Sequence, residues 1–126
     1  MLSEGTVFAT LAVKDLATAK QFYGTTLGLQ QVDENPGGVA YQSGTGRLFV
    51  YQAPTAGTNQ ATSASWEVAN IEATVADLKD KGIIFEQYEI PGATRQGDIL
   101  VMGPMKAAWF KDPDGNILSV GSDGKL

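Results

Sequence analysis

The chain alternates between short apolar runs and two stretches in which apolar residues recur every three or four positions. Residues 6–13 are rich in β-branched and aromatic side chains and predict a strand. Five apolar side chains then share one face of a predicted helix: Leu16, Ala19, Phe22, Tyr23 and Leu27. Asp15 is placed to cap this helix at its start, and Gly28 to end it in a left-handed conformation.

Strand-like runs follow at 29–34, 39–43 and 47–52, and glycine-rich turns separate them. Residues 1–53 therefore predict one βαβββ module. Residues 54–60 contain Pro, Thr, Ala, Gly and Asn and no charge, so we interpret them as a flexible linker.

The same order of elements returns in residues 61–126. A strand is predicted at 63–69, Asn70 takes the capping position, and Gly82 ends a helix with an apolar stripe of Ile71, Val75 and Leu78. The halves superpose at an offset of 55 residues, as from Asp15 to Asn70. A repeat of pattern on this scale predicts two similar modules packed side by side.

The second module ends in a predicted hairpin. A strand at 83–90, a loop at 91–97 and an extended piece at 98–102 lead to it. Apolar runs on both sides flank the turn sequence Asp112-Pro113-Asp114-Gly115-Asn116, in which proline fixes φ and glycine accepts a positive φ. Residues 121–125 are predicted to form a loose tail.

Three motifs, in this order and at this spacing, resemble the vicinal oxygen chelate superfamily, which holds the glyoxalases, the bleomycin-resistance proteins and the extradiol dioxygenases. They are the segment 11–23 with its Leu27-Gly28-Leu29 exit, the segment 66–82, and the approach to the hairpin from 88 to 116, which looks like a glyoxalase-like bacterial branch. The resemblance implies an α+β fold in which two βαβββ modules form paired half-barrels around a cleft. Because members of this family often pair, it also implies a homodimer.

Composition limits the partners and the chemistry. The net charge is −5 and no cluster of Lys or Arg occurs, so we expect no binding to nucleic acid or to an anionic membrane. Cysteine and histidine are both absent, which removes thiolate nucleophiles, disulfides and the commonest transition-metal ligand. No signal peptide or membrane span is visible, so a cytoplasmic protein is expected.

The enzymes of this superfamily hold a divalent cation with His and Glu, and the resemblance implies four positions for these ligands. They are Phe8 on the first strand, Ser63 on the equivalent strand of the second module, Ser119 on the last strand, and one residue within 49–52. Phenylalanine has no lone pair to donate, and neutral serine is a weak ligand. We therefore expect no metal centre and no cofactor.

Aromatic and polar side chains on the predicted strands are the candidate ligand-binding groups: Phe8, Phe49, Tyr51, Trp66, Glu67, Tyr88, Trp109 and Ser119. Flat aromatic walls favour planar ligands, and the Glu67 carboxylate either pairs with a cationic ligand or acts as a base. Trp66 and Glu67 alternate along one strand, so one faces the cleft and the other the helix. Tyr41 is also assigned to the cleft, whereas Phe22, Tyr23 and Phe110 are assigned to the core.

Three functions are compatible with these features. The first is a metal-free protein of the glyoxalase/bleomycin-resistance type that binds a planar or cationic small molecule in an aromatic cleft, for example to sequester an antibiotic. The second is a lyase-, isomerase- or dioxygenase-like enzyme without the usual His/Glu centre. It is either metal-dependent through unrecognised acids or metal-free, with Glu67, Tyr88 or Tyr51 as the acid–base group and Arg95 as a further polar group. The third is a dimer-forming scaffold with a vestigial cleft. We favour the first.

Overall fold

The computed structural model describes residues 1–123, which form two α-helices and ten strands. In the first module β1 spans Ala9–Val13, α1 Leu16–Lys20, β2 Gln30–Asn35, β3 Gly38–Ser43 and β4 Gly46–Gln52. In the second module β5 spans Thr62–Glu67, α2 Ile71–Asp80, β6 Phe85–Glu86, β7 Thr94–Gln96, β8 Ile99–Met102, β9 Met105–Lys111 and β10 Ile117–Ser122. Neither of these described helices is long and apolar enough to cross a bilayer.

Each module builds one open sheet. Sheet A has the strand order β1-β4-β3-β2, and sheet B has the order β5-β10-β9-β8-β7, with β6 paired to a further part of β9. The pairs β1–β4 and β5–β10 are parallel, and the other pairs are antiparallel. The predicted α+β fold with two βαβββ modules is thus confirmed. Neither sheet closes into a barrel.

One hydrophobic core joins the two modules on the side of the helices. It contains the inward-facing residues of both sheets together with residues of both helices, among them Leu11, Val50, Val75, Phe110 and Leu118. Because side chains alternate along a strand, the intervening residues stand on the opposite face of each sheet, which neither α1 nor α2 covers. We call these two surfaces the open face of sheet A and the open face of sheet B.

The predicted residues at the start and end of the helix are confirmed in both modules. The Asp15 carboxylate accepts hydrogen bonds from the backbone N–H groups of Ala17 and Thr18, and the Asn70 side chain accepts one from Ala73. Gly28 and Gly82 follow the helical segments with φ of 74° and 93°, conformations that a side chain disfavours.

The first helix differs from the regular helix that was predicted. After Lys20 it widens into a π-helical turn over Gln21–Thr26, in which the Leu27 N–H donates to the Phe22 carbonyl at 2.8 Å. Both Phe22 and Tyr23 are buried within this turn. The wider turn lets two adjacent bulky rings enter the core, which the spacing of a regular helix does not favour.

The connector 54–60 is anchored at Ala56 and Gly57, although its composition predicts flexibility. Ala56 is only 2% exposed. Gly57 adopts a φ of 74°, and a Cβ atom there would overlap the carbonyl oxygen of Asp114. The connector therefore lies directly against the turn of the last hairpin.

Two predictions in the second module are wrong. The predicted strand 83–90 is reduced to Phe85–Glu86, because β8 already occupies the 105–107 part of the β9 edge and leaves only Trp109 and Phe110 for β6. The predicted loop 91–97 contains β7, which pairs with β8. The predicted loose tail is ordered at its start, because Gly121 and Ser122 continue β10. Residues 124–125 lie outside the described part of the chain.

Candidate functional site

The Asp-Pro-Asp-Gly-Asn turn carries a buried polar network that links the modules. Asp112 is 5% exposed, and its carboxylate accepts hydrogen bonds from the Tyr23 hydroxyl at 2.7 Å and from the Asn116 amide group at 2.8 Å. It also accepts from the backbone N–H groups of Asp114 and Asn116. Asn116 in turn donates to the Ala12 carbonyl on β1 at 2.8 Å. Burial, and then the Asp112 carboxylate, raise the pKa of Tyr23 above its ordinary range.

This network gives the residues of the turn a structural role. Both carboxylate oxygens of Asp112 accept hydrogen bonds, and these bonds compensate the charge that is buried there. The backbone N–H of Lys14 adds a bond to the Asp114 carboxylate at 3.1 Å. The turn therefore fixes how the second module docks against β1, and the candidate ligand groups lie elsewhere.

Aromatic side chains concentrate on the open face of sheet A. The rings of Phe49 and Tyr51 on β4 stack with centroids 6.4 Å apart and planes inclined by 14°. Tyr51 is 37% exposed, and Phe8, which precedes β1, is 53% exposed. Gly38 leaves room for Phe49, because a Cβ atom at Gly38 would lie 2.9 Å from the tip of that ring. The pair thus forms a flat and accessible apolar surface.

A hollow of about 200 Å³ adjoins this aromatic surface, and we call it the sheet A hollow. It is lined by Phe8, Asp33, Asn35, Ala40, Arg47, Leu48 and Phe49. Asp33, Ala40 and Phe49 are direct neighbours across β2, β3 and β4. The small Ala40 side chain therefore forms the floor between a polar wall on β2 and an aromatic wall on β4.

The open face of sheet B presents a second aromatic pair. Tyr88 meets Trp109 edge to face, with centroids 5.7 Å apart and planes at 73°. The indole N–H of Trp109 donates to the Thr62 hydroxyl at 3.1 Å, and the Arg95 guanidinium donates to the Tyr88 carbonyl at 2.5 Å. These contacts fix the indole of Trp109 and the backbone of Tyr88.

Glu67 and Ser119 also lie on the open face of sheet B. They line a hollow of about 340 Å³ together with Ser65, Met105 and Ala107. Ser119 is buried, and its hydroxyl is 2.6 Å from the Ser65 hydroxyl. No ion pair is formed by Glu67 with any residue of the described chain. The Glu67 carboxylate is therefore available to solvent and ligands.

A further cleft lies between the modules, and we call it the intermodule cleft. Its volume is about 430 Å³, and it separates the glycine-rich β3–β4 turn from Trp66 and Glu67 on β5. Trp66 and Glu67 lie in different environments. Trp66 packs against the hydrophobic core, whereas Glu67 stands on the open face of sheet B. The assignment of Tyr41 to the cleft is wrong, since this residue is 1% exposed within the core.

Glu67 and Tyr88 lie far apart. Glu67 is on β5, whereas Tyr88 follows β6, and the intervening strands β10 and β9 place them three strand spacings apart. That separation amounts to roughly 14 Å across the sheet. Acid and base groups that serve one reacting bond must both lie within hydrogen-bond reach of it. Tyr88 also lines neither of the two hollows that Glu67 lines, so the two candidate residues border different parts of sheet B.

The residues at the expected metal positions do not fit a transition metal. Phe8 offers only hydrocarbon, Ser63 is a neutral hydroxyl at the bulge of β5, and Ser119 is already bonded to Ser65. Among residues 1–123, no three His, Cys, Asp or Glu side chains come together in a way that could hold a metal ion. Neutral hydroxyls would leave the charge of a divalent cation uncompensated.

Arg47, Asp33 and Asn35 were not predicted as site residues. Arg47 stands two positions before Phe49 on β4, so the alternation of a strand could have placed it beside the ring. Strand alternation alone could not predict that the Asp33 side chain lies on the open face. A register shift between Gln31 and Asp33 reverses which β2 side chains reach the open face.

Comparison with known proteins agrees with this architecture. Residues 6–120 match the model of the Glyoxalase/Bleomycin resistance protein/Dioxygenase superfamily. No match was found among curated protein sequences.

Solved structures of similar fold include a glyoxalase family protein from Enterococcus faecalis, with a TM-score of 0.71 and 19% identity over 96% of this chain and 99% of that one. A lactoylglutathione lyase from Agrobacterium tumefaciens has a TM-score of 0.67 and 18% identity, covering 94% and 93%. The fosfomycin resistance protein FosX from Listeria monocytogenes has a TM-score of 0.70 and 12% identity, also covering 94% and 93%. From its matched sequence and its two βαβββ modules, the chain belongs to the glyoxalase/bleomycin resistance protein/dioxygenase superfamily.

Proposed function

We propose that this protein binds a small planar organic molecule on the open face of sheet A, without a transition metal. The stacked and accessible ring pair of Phe49 and Tyr51 is the observation that carries the proposal. Flat aromatic surfaces of this kind hold planar ligands by stacking, at about 0.5–1.5 kcal/mol beyond burial for a good pair. Sequestration of an antibiotic is one function that such binding would serve.

The size of the sheet A hollow supports a small ligand. Its volume of about 200 Å³ is below the range of about 300–1,000 Å³ that is typical of sites for drug-sized molecules. A single-ring compound fits this volume better than a large antibiotic. Binding of such a ligand needs no metal, because the aromatic wall and the polar wall supply the contacts.

An enzymatic function has weaker support. The Glu67 carboxylate lines two hollows and is accessible, as a general base must be, but Tyr88 lines neither of them. The positions expected to hold a catalytic metal carry Phe8, Ser63 and Ser119, whose side chains do not supply charged ligands. We therefore place binding ahead of lyase-like or dioxygenase-like catalysis.

Calorimetric titration with small planar probes tests the proposal, with benzoate, benzylamine and indole as the first panel. Tyr51→Leu keeps apolar volume but removes a stacking ring, and we expect it to weaken binding about three- to tenfold. Tyr88→Leu is the matched control, because it makes the same change on the open face of sheet B. Calorimetry is preferred to fluorescence, since Trp66 and Trp109 are the only tryptophans and both belong to sheet B.

Three outcomes would overturn the proposal. The first is that no planar probe binds at millimolar concentration, and the second is that Tyr88→Leu weakens binding while Tyr51→Leu does not. The third is that binding requires added Mn²⁺, Fe²⁺, Ni²⁺ or Zn²⁺. Homodimer formation stays a prediction from the family resemblance, and a solution mass measurement tests it separately.

A further inference from the structure

The sheet A hollow carries one positive and one negative side chain on opposite sides of β3. Asp33 stands on β2, and Arg47 on β4. Neither forms an ion pair with any residue of the described chain, and the only side-chain bond of Arg47 there runs from Nε to the Gln42 side-chain oxygen at 3.3 Å. The carboxylate of Asp33 and the outer nitrogens of Arg47 are therefore available to a ligand.

The strand order keeps these charges from neutralising each other. Because β3 lies between β2 and β4, the two backbones are two strand spacings apart, which is roughly 10 Å. Between them lies the small side chain of Ala40, which pairs with Asp33 on one side and Phe49 on the other. The result is a trough with opposite charges on its two walls and an aromatic ring along one of them.

We propose that this hollow selects a planar zwitterion: a single ring that carries an anionic group for Arg47 and an ammonium group for Asp33. The inference rests on the proposed function and names the ligand class for the same surface. A carboxylate suits Arg47 because the guanidinium presents two parallel N–H donors. The ring lies against Phe49, with Phe8 at the edge of the trough.

Electrostatics favour a zwitterion over an ion of one sign. A ligand with only an anionic group is attracted by Arg47 but repelled by Asp33 and by the net charge of −5. A ligand with only a cationic group is attracted by Asp33 but repelled by Arg47. A ligand with both groups at opposite ends of a ring satisfies both walls at once.

Calorimetry with 4-(aminomethyl)benzoate tests this inference, because that compound carries an ammonium and a carboxylate at opposite ends of one ring. Benzoate and benzylamine are the matched probes with one charge each. We expect the zwitterion to bind at least tenfold more tightly than either. Arg47→Gln is expected to weaken the zwitterion and benzoate but not benzylamine, and Asp33→Asn the zwitterion and benzylamine but not benzoate.

Two control variants separate this site from other charges. Glu34→Gln makes the same kind of change one residue from Asp33, but Glu34 pairs with Lys20 of α1, so no effect is expected. Glu67→Gln tests the intermodule cleft, which Arg47 also borders. Loss of zwitterion binding in Glu67→Gln with none in Asp33→Asn would overturn the placement.

Failure of this inference is distinct from failure of the proposed function. Equal binding of all three probes, weakened by Tyr51→Leu but unchanged by Arg47→Gln and Asp33→Asn, would refute the zwitterion and leave ring binding intact. Absence of binding by every probe would refute both. Both charged residues are exposed, so melting temperatures of these variants are expected to match the parent and to exclude misfolding as the cause.

Discussion

The Tyr23 hydroxyl donates to Asp112 Oδ2 at 2.7 Å, and this buried bond joins the helical turn of the first module to the last hairpin of the second. The neighbouring Tyr41 ring lies 6.2 Å from the Tyr23 ring, between centroids, yet its buried hydroxyl has no hydrogen-bond partner among the described residues. Two tyrosines in one core thus place the same chemical group in opposite situations.

Removing the Tyr23 hydroxyl is expected to lower stability, whereas removing the Tyr41 hydroxyl is not. Tyr23→Phe deprives a buried carboxylate of a donor, so the free energy of unfolding should fall by about 1–3 kcal/mol. Tyr41→Phe removes a buried group that makes no bond to the described residues, so stability should be unchanged or rise by up to about 1 kcal/mol. Urea unfolding of both variants measures this difference. Equal losses in the two variants would show that the Asp112 bond is not special.

Stability should also fall at alkaline pH because of Tyr23. Burial, and then the Asp112 carboxylate, raise the pKa of its phenol in the folded state above the ordinary value of 10.0. The unfolded chain therefore loses this proton first, so the contribution of Tyr23 is complete below about pH 10 and declines as the pH rises beyond it. Unfolding measured from pH 8 to 11 should show a shallower decline in Tyr23→Phe. Identical slopes in parent and variant would contradict the assignment.

The contact between the connector and the hairpin turn predicts a large effect at Gly57. Gly57→Ala adds strain at a φ of 74° and places a Cβ atom on the Asp114 carbonyl. Gly28→Ala is the control, because Gly28 has the same φ of 74° with open space around it. The control should lose only about 1–2 kcal/mol of stability, which is the cost of placing a side chain in the left-handed conformation. Thermal unfolding should show a clearly larger loss for Gly57→Ala, and similar losses would mean that the connector is not packed there in solution.

Metal removal should leave the protein unchanged. Since Phe8, Ser63 and Ser119 provide no charged ligands, dialysis against EDTA is expected to shift neither the melting temperature nor the affinity for the planar probes. Elemental analysis of protein purified without a metal-affinity step should find less than one transition-metal ion for every ten chains. A stoichiometric bound ion, or a melting temperature that drops with EDTA, would contradict this expectation.

Local sequence signals determined much of the fold. The capping residues Asp15 and Asn70, the helix-ending glycines and the hairpin turn act over a few residues, so each could be recognised from its neighbours alone. Composition alone also limited the chemistry, because the chain contains neither histidine nor cysteine. The two-module architecture followed from the repeat of these local signals.

Only the tertiary structure decided which side chains share a surface. The strand 83–90 was shortened by competition for the edge of β9, and the side chains of β2 were reoriented by a register shift, both of which depend on partners distant in sequence. For the same reason Trp66 and Tyr41 pack with the core, while Asp33 and Arg47 stand on opposite sides of the sheet A hollow. Strand alternation fixes that neighbours point to opposite faces, but packing between modules determines which face becomes the interior.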